Sequence, residues 1–226
     1  MLNQAIDSLH DKYLAPEWSH SALVTIDTQR DFTLDGAVAQ IPGTMEVIPA
    51  MKALLQEFRK CGLPVFHVVR LYKTDGSNVD ICRKSAIESG ISMASPDSEG
   101  SQLVEELLPD SYIKLDSETL LNGFLQEIAS REWIIYKPRF GAFYQTSLQM
   151  HLESLKINTL VFCGCNFPNC PRTSIYEASE RDFRIVLARD SISGLYDKGI
   201  EEMRNIGVSV MFSEDIISNL KTLCAK

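Results

Sequence analysis

The 226-residue sequence has no apolar run approaching the roughly 18 to 20 residues that a membrane-spanning helix needs. Its first residues, Met1 to Asp7, also lack the basic start and the long apolar stretch of a signal peptide. These two absences predict a cytoplasmic protein without a membrane partner.

Positive charge is scarce. Lysine and arginine number 22 against 30 aspartates and glutamates, which gives a formal net charge of −8. No basic stripe is present that could neutralise a phosphate backbone, so nucleic acid is not an expected partner. The acidic excess does not fix the charge of a small-molecule substrate, because a few local arginines can hold an anion.

Histidine is also scarce, with four residues: His10, His20, His67 and His151. His67 alternates within an apolar strand pattern, which is typical of a structural residue, and His151 lies in a helical pattern without a partner signature. The sequence therefore does not favour a cysteine–histidine nucleophile pair.

Six cysteines are scattered along the chain without a CxxC pair: Cys61, Cys82, Cys163, Cys165, Cys170 and Cys224. A chain of this length folds without disulfides, so reduced thiols are expected. Cys163, Cys165 and Cys170 lie close together, but no second ligand cluster accompanies them, and no zinc site, other metal or cofactor is predicted.

Six short apolar runs rich in β-branched residues have the length of buried strands, at 22–26, 64–69, 133–136, 159–163, 184–188 and 208–212. Helical patterns fit residues 47–61, 117–129, 143–155, 170–181 and 197–206. This alternation predicts a single α/β domain over residues 1–226, with a mostly parallel sheet and helices on both faces. Residues 72–116 are rich in Asp, Ser, Gly and Pro and are expected to form an irregular insertion over the carboxyl ends of the strands, where ligands bind.

Three segments each place a reactive side chain just beyond a predicted strand. Asp27 follows the first strand, and Lys137 follows the third, where Pro138 holds the backbone extended. Taken singly, Asp27 also suits a helix cap and Lys137 also suits a solvated lysine. At the end of a buried strand, however, an acid is costly unless it is paired or hydrogen-bonded.

The third segment contains the candidate nucleophile, Cys170, in a turn between a strand and a helix. Pro171 suits the first turn of a helix, so Cys170 is expected at the helix N-terminus, where the dipole lowers a thiol pKa. A buried, inert thiol is the alternative interpretation of Cys170. Cys165 is the second choice, and Cys163 is expected in the core.

The ordered motifs together carry a resemblance. They are Asp27-Thr-Gln-Arg-Asp-Phe32, Lys137-Pro-Arg-Phe-Gly141 and Gly164-Cys-Asn-Phe-Pro-Asn-Cys170, followed by Arg172-Thr173 and Arg181-Asp182. Over about residues 20–215 the chain resembles the isochorismatase-like cysteine hydrolases, the superfamily of nicotinamidases and N-carbamoylsarcosine amidohydrolases. The resemblance implies a Rossmann-like three-layer sandwich that assembles as a dimer or tetramer.

The resemblance also implies a mechanism. Cys170 would attack a carbonyl carbon of a small amide, ureido or carbamoyl compound, Asp27 would take the thiol proton, and Lys137 would support their charged states. A thioacyl enzyme would form and then be hydrolysed. The oxyanion hole would consist of the amides of Asn166 and Cys170, and the Cys165–Asn166 peptide bond is expected to be cis.

The chain departs from nicotinamidases after the second strand. Those enzymes carry a metal-binding aspartate and two histidines there, whereas residues 69–77 contain no histidine. Metal-assisted nicotinamide hydrolysis is therefore not predicted. Isochorismatases proper hydrolyse a vinyl ether and lack the nucleophilic cysteine, so the presence of Cys170 argues against that chemistry. An ether or ester hydrolase is the alternative enzyme, and a non-catalytic binding protein on the same fold is a further alternative. A nucleotide-binding Rossmann protein is less favoured because no GxGxxG motif follows the first strand.

Residues next to these motifs are the candidates for holding the substrate. Phe32, Phe143 and Tyr144 are expected to form apolar walls. Arg70, Arg139 and Arg172 could grip a carboxylate or carbonyl in a bidentate manner. Arg172 is preferred, although a salt bridge to an acid such as Glu177 on its own helix explains it equally well.

Overall fold

The computed structural model describes residues 7–225, so residues 1–6, where no signal peptide is predicted, and residue 226 lie outside it. Within that range, seven strands form one sheet: β1 (Ser21–Ile26), β2 (Val65–Val69), β3 (Gln126–Ala129), β4 (Glu132–Tyr136), β5 (Thr159–Gly164), β6 (Arg184–Ile192) and β7 (Ser209–Met211). The strand order is β3-β4-β2-β1-β5-β6-β7, and β3 is antiparallel to β4 whereas all other neighbours are parallel.

Eight α-helices accompany the sheet in the same range: α1 (Arg30–Thr33), α2 (Thr44–Lys60), α3 (Ile81–Glu88), α4 (Ser117–Leu121), α5 (Leu148–Ser154), α6 (Cys170–Ser179), α7 (Asp197–Asn205) and α8 (Ser213–Cys224). Short 3-10 turns occupy residues 18–20, 99–101 and 105–107. None of the helices in residues 7–225 is long and apolar enough to cross a membrane.

The sheet is covered on both faces because its central strands are apolar on both sides. In β1, Ala22 and Val24 pack into a cluster with α5, α6 and α7, whereas Leu23 packs with α2 and α8 on the opposite face. All three side chains are fully buried. This three-layer arrangement confirms the predicted α/β class with a mostly parallel sheet.

The six predicted strands are present, but the helix predicted over 117–129 is wrong. Helix α4 ends at Leu121, Gly123 adopts a φ of 84°, and residues 126–129 form the edge strand β3. Gln-Glu-Ile-Ala favours a helix locally, so pairing with β4 overrides the propensity. The helix predicted over 143–155 is shorter than expected, since α5 begins at Leu148.

The insertion over residues 72–116 is less irregular than expected, because it contains α3 and two of the 3-10 turns. Asp80, which directly precedes α3, is the type of residue that commonly starts a helix. Residues 76–81 lie beside the loop that follows β4, where together they line a cavity.

The expectation that all cysteines are reduced is wrong for one pair. Cys61, just after α2, and Cys224, at the end of α8, form a disulfide with their Cα atoms 5.7 Å apart. The two helices pack against each other on one face of the sheet, which brings together residues separated by 163 positions. Cys82, Cys163, Cys165 and Cys170 are free thiols.

Candidate active site

Four neighbouring strands end at the candidate site. The adjacent strands β4, β2, β1 and β5 are followed by Lys137, Arg70, Asp27 and the turn that leads to Cys170. The backbone ladder continues past the strands, because the amide of Asp27 donates to Val68 O at 2.9 Å and that of Lys137 to Val69 O at 3.0 Å. Parallel pairing thus brings distant parts of the sequence to one edge of the sheet.

Asp27 and Lys137 form a buried ion pair. The Lys137 ammonium donates to Oδ2 of Asp27 at 2.9 Å, with side-chain exposures of 0% and 7%. The second carboxylate oxygen, Oδ1, is buried and has no hydrogen-bond partner among the described residues. One oxygen of Asp27 is therefore fixed by the lysine, and the other is available to accept a proton.

Gly164 allows the loop that carries the thiol to approach β1 closely. Its φ is 122°, and a Cβ atom there would collide with the backbone of Ile26. The next amide, that of Cys165, donates to Ile26 O at 2.9 Å, and the amide of Phe167 donates to Ser193 O at 2.8 Å. Gly164 is required by this contact, because any side chain would push the turn away from β1.

Cys170 is the first residue of α6, as predicted, and is 3% exposed. The predicted lowering of its pKa is wrong. Burial and, to a smaller extent, the negative charge of Asp27 raise the pKa of the thiol to about 11, because Lys137 and Arg70 oppose these effects only in part. The resting thiol is protonated and lies beside the carboxylate that would accept its proton.

The predicted oxyanion hole has the expected backbone. The Cys165–Asn166 peptide bond is cis. Within residues 7–225, neither the amide of Asn166 nor that of Cys170 donates a hydrogen bond to a protein acceptor. Both N–H groups are therefore available to a ligand oxygen.

A cavity of about 610 Å³ opens beside these residues. Val79, Asp80, Arg139, Phe140, Tyr144 and Thr173 are among the residues that line it. Arg139 and Phe140 belong to the loop that follows Lys137, and Thr173 lies one turn along α6 from Cys170. Asp27, Lys137 and Cys170 are not among the lining residues, and all three are nearly inaccessible to solvent.

The six predicted substrate-binding residues separate into three groups. Arg139 and Tyr144 line the cavity. Phe32 and Phe143 are 3% and 5% exposed and pack in core clusters. The two remaining arginines, Arg70 and Arg172, are held by other side chains.

Arg172, the preferred substrate ligand, is engaged with α7. It donates to Glu202 and to the Tyr196 hydroxyl, each at 2.6 Å. The salt bridge to Glu177 considered from the sequence is not the one that forms, because the Glu177 carboxylate accepts the amide of Phe143 at 2.8 Å.

Arg70 is 1% exposed and contacts two aromatic rings, with its Cζ atom 5.4 Å from the centroids of both Tyr72 and Phe140. Its Nη2 atom is 2.7 Å from Oδ2 of Asp80. The side chain of Gln29 fixes the Arg70 backbone, accepting from its amide and donating to its carbonyl, each at 2.7 Å.

The sequence analysis missed this surrounding network. Tyr72 donates to Asp80 at 3.0 Å, and Arg83 donates to the Tyr72 hydroxyl at 2.7 Å. In the sequence, only the position of Asp80 could have indicated part of this network, because an aspartate commonly precedes the first residue of a helix. The other contacts depend on how the insertion folds back over β2.

The remaining candidate bases and nucleophiles have structural surroundings. His67 is buried and hydrogen-bonded to Thr25 at 2.9 Å and to Glu132 at 2.8 Å. Burial raises the pKa of Cys163 and of Cys165. No group of three or more metal-ligating side chains occurs in the described part of the chain, and the segment after β2 presents a guanidinium instead.

The chain is similar to known proteins over most of its length. The sequence matches the Isochorismatase domain over residues 21–215. It is 27% identical over 201 residues to a probable inactive nicotinamidase of Arabidopsis thaliana, covering 86% of this chain and 93% of that protein. It is 26% identical to an N-carbamoylsarcosine amidase of an Arthrobacter species, covering 76% of this chain and 58% of the relative. An isochorismatase family protein of Desulfovibrio vulgaris superposes with a TM-score of 0.75 at 29% identity, covering 92% of this chain and 99% of that one.

Proposed function

The chain belongs to the isochorismatase family of hydrolases, and from this premise we propose that it cleaves a carbon–nitrogen bond of a small amide, ureido or carbamoyl compound with Cys170 as nucleophile. The observation that carries the proposal is the buried pair of Asp27 and Lys137 beside a thiol at the start of α6. A carboxylate with one fixed and one unpartnered oxygen is suited to accept the thiol proton.

In the first half of the reaction, Sγ of Cys170 attacks the substrate carbonyl carbon while its proton moves to Oδ1 of Asp27. The carbonyl oxygen becomes an oxyanion that accepts from the amides of Asn166 and Cys170. The carbon–nitrogen bond then breaks, the nitrogen takes the proton from Asp27, and ammonia or an amine leaves from a thioacyl enzyme.

In the second half, Asp27 removes a proton from a water molecule, which attacks the thioacyl carbon. The carbon–sulfur bond breaks, the thiolate recovers the proton from Asp27, and the acid is released. Lys137 orients Asp27 in both halves, and its ammonium is the counter-charge for the buried carboxylate before it accepts a proton and after it releases one.

The high pKa of Cys170 suits this sequence of events. A thiol with a pKa of about 11 is not a free thiolate at neutral pH, so proton transfer has to accompany attack rather than precede it. The enzyme would thereby resist alkylation by small electrophiles in the absence of substrate.

The test is ammonia release from a panel of small amides, ureides and carbamoyl compounds. We expect release with the native protein and a loss of at least about a thousandfold with Cys170→Ala, since the nucleophile is removed. Cys163→Ala is the matched control, because Cys163 is a free thiol in the core on the opposite face of the sheet from Cys170 and does not line the cavity, and it should retain most of the native turnover. Equal turnover in native protein and Cys170→Ala would remove Cys170 from the mechanism.

A second candidate is a non-catalytic binding protein on the same fold. The observation that favours it is the similarity to a plant protein described as a probable inactive nicotinamidase. Substrate-panel compounds that bind without any hydrolysis would support this candidate. An ester or ether hydrolase would instead release acid or alcohol without releasing ammonia.

A further inference from the structure

Arg70 is a buried cation that the protein satisfies only in part. Its Nε, Nη1 and Nη2 atoms are buried and make no well-aligned hydrogen bond to any described residue, although Nη2 lies 2.7 Å from Asp80. An arginine has five N–H donors, and leaving them unsatisfied in the interior is costly. These donors therefore need acceptors that the described residues do not supply.

The charges around Arg70 do not cancel. Three cations, Lys137, Arg70 and Arg83, face two carboxylates, Asp27 and Asp80, and each of the first two cations has one carboxylate partner. Arg83 donates only to the neutral hydroxyl of Tyr72, and no carboxylate in residues 7–225 forms an ion pair with it. Among these five groups, Arg83 is therefore the one cation that lacks a carboxylate partner.

Arg70 is close to the candidate nucleophile. Strand β2 lies between β1 and β4, so Arg70 occupies the middle of the row formed by Asp27 and Lys137. The positive charge of Arg70 lowers the pKa of the Cys170 thiol and so opposes the effect of burial. Phe140 lines the cavity, and its ring lies 5.4 Å from Cζ of Arg70 and 5.7 Å from Cζ of Arg83, so both guanidinium groups lie just behind the cavity wall.

We propose that Arg70 and Arg83 form an anion subsite, so that the substrate carries a carboxylate in addition to the bond that is cleaved. The inference rests on the proposed function, because the same molecule would present its amide or carbamoyl carbon to Cys170. A planar carboxylate matches the fork of a guanidinium, and Arg83 is a second cation at the same rings that forms no ion pair with a carboxylate of residues 7–225. The planar fork favours a flat monoanion over tetrahedral phosphate.

Binding to the Cys170→Ala protein tests the subsite without requiring turnover. Calorimetry would compare malonamate, succinamate and glutaramate with the corresponding neutral diamides, and would include inorganic phosphate. We expect at least one amide acid to bind ten or more times more tightly than its diamide, since charge-assisted bonds to a buried guanidinium are lost in the neutral analogue.

Variants of the two arginines, made in the Cys170→Ala protein, test whether these residues cause the preference for the acid. Adding Arg83→Gln or Arg70→Lys should reduce the preference for the acid over the diamide by about tenfold, because the first removes the cation without a carboxylate partner and the second removes the planar fork. Arg70→Lys keeps a cation beside Asp80, so it avoids stranding that carboxylate. Lys73→Gln removes an exposed positive charge three residues from Arg70 and should leave the preference unchanged.

Each outcome decides the proposal. Equal binding of acid and diamide, no binding by any amide acid, tighter binding of phosphate, or a preference that survives in both arginine variants would overturn it. A native protein that binds the acids selectively but releases no ammonia would refute the proposed hydrolysis while leaving the anion subsite supported.

Discussion

Replacing Lys137 with methionine tests whether the Asp27–Lys137 pair holds a charge in the interior. The ammonium is fully buried and donates to Asp27 at 2.9 Å, with a longer contact of 3.4 Å to the carbonyl of Arg139. Methionine has a similar length and no charge, so the variant leaves a buried carboxylate without its cation. We expect the free energy of unfolding to fall by about 3–5 kcal/mol, the usual effect of breaking a buried ion pair.

The double variant Asp27→Asn/Lys137→Met separates loss of charge balance from loss of packing. Both side chains are then neutral, so no uncompensated charge remains, and most of the lost stability should return. A double-mutant cycle with the two single variants should give a coupling energy of about 2 kcal/mol or more. Lys52→Met on the exposed face of α2 should change stability by no more than about 0.5 kcal/mol.

Urea unfolding followed by circular dichroism measures these differences, and thermal melts check them. For a chain of this size, about 3–5 kcal/mol corresponds to a decrease in Tm of roughly 6–20 °C. The reasoning is refuted if Lys137→Met lies within about 1 kcal/mol of the native protein. It is also refuted if the double variant is as unstable as the two single variants added together.

Three further predictions follow from the buried groups. Asp27→Asn should lower the pKa of the Cys170 thiol, because the negative charge of Asp27 is one cause of the value of about 11. The titration is followed by thiolate absorbance, with Cys170→Ala as the blank. An unchanged or higher pKa would contradict this prediction. Hydrogen bonds from Arg59 and His67 lower the pKa of Glu132 to about 2 in spite of burial. The ionised Glu132 therefore stabilises the folded protein above pH 4.5, and this contribution is lost as the pH falls towards 2. Glu132→Gln should therefore cost about 3 kcal/mol at neutral pH and flatten the stability profile over that interval in urea titrations. A reductant should lower the unfolding free energy of the oxidised protein by about 2–4 kcal/mol by opening the Cys61–Cys224 link, and should have no such effect on Cys61→Ser.

Agreement between sequence and structure is closest where the signal is local. The apolar runs that became β1, β2, β4, β5, β6 and β7 are recognisable because strands buried on both faces need apolar, β-branched residues throughout. The position of Cys170 at the start of α6 followed from Pro171, which suits the first turn of a helix. The edge strand at 126–129 has no such local signal, since only its pairing with β4 makes it a strand.

The order of Asp27, Lys137 and Cys170 along the chain, and the family that this order indicates, were determined by the sequence alone. Tertiary structure decided the rest, because burial and long-range contacts are properties of the folded chain. It raised the pKa of Cys170 by enclosing the thiol, joined Cys61 to Cys224 through the packing of α2 on α8, and turned Arg172 towards Glu202. It also buried Arg70 against Tyr72 and Phe140 with unused donors, a contact that arises only when the segments after β2 and β4 meet at the end of the sheet.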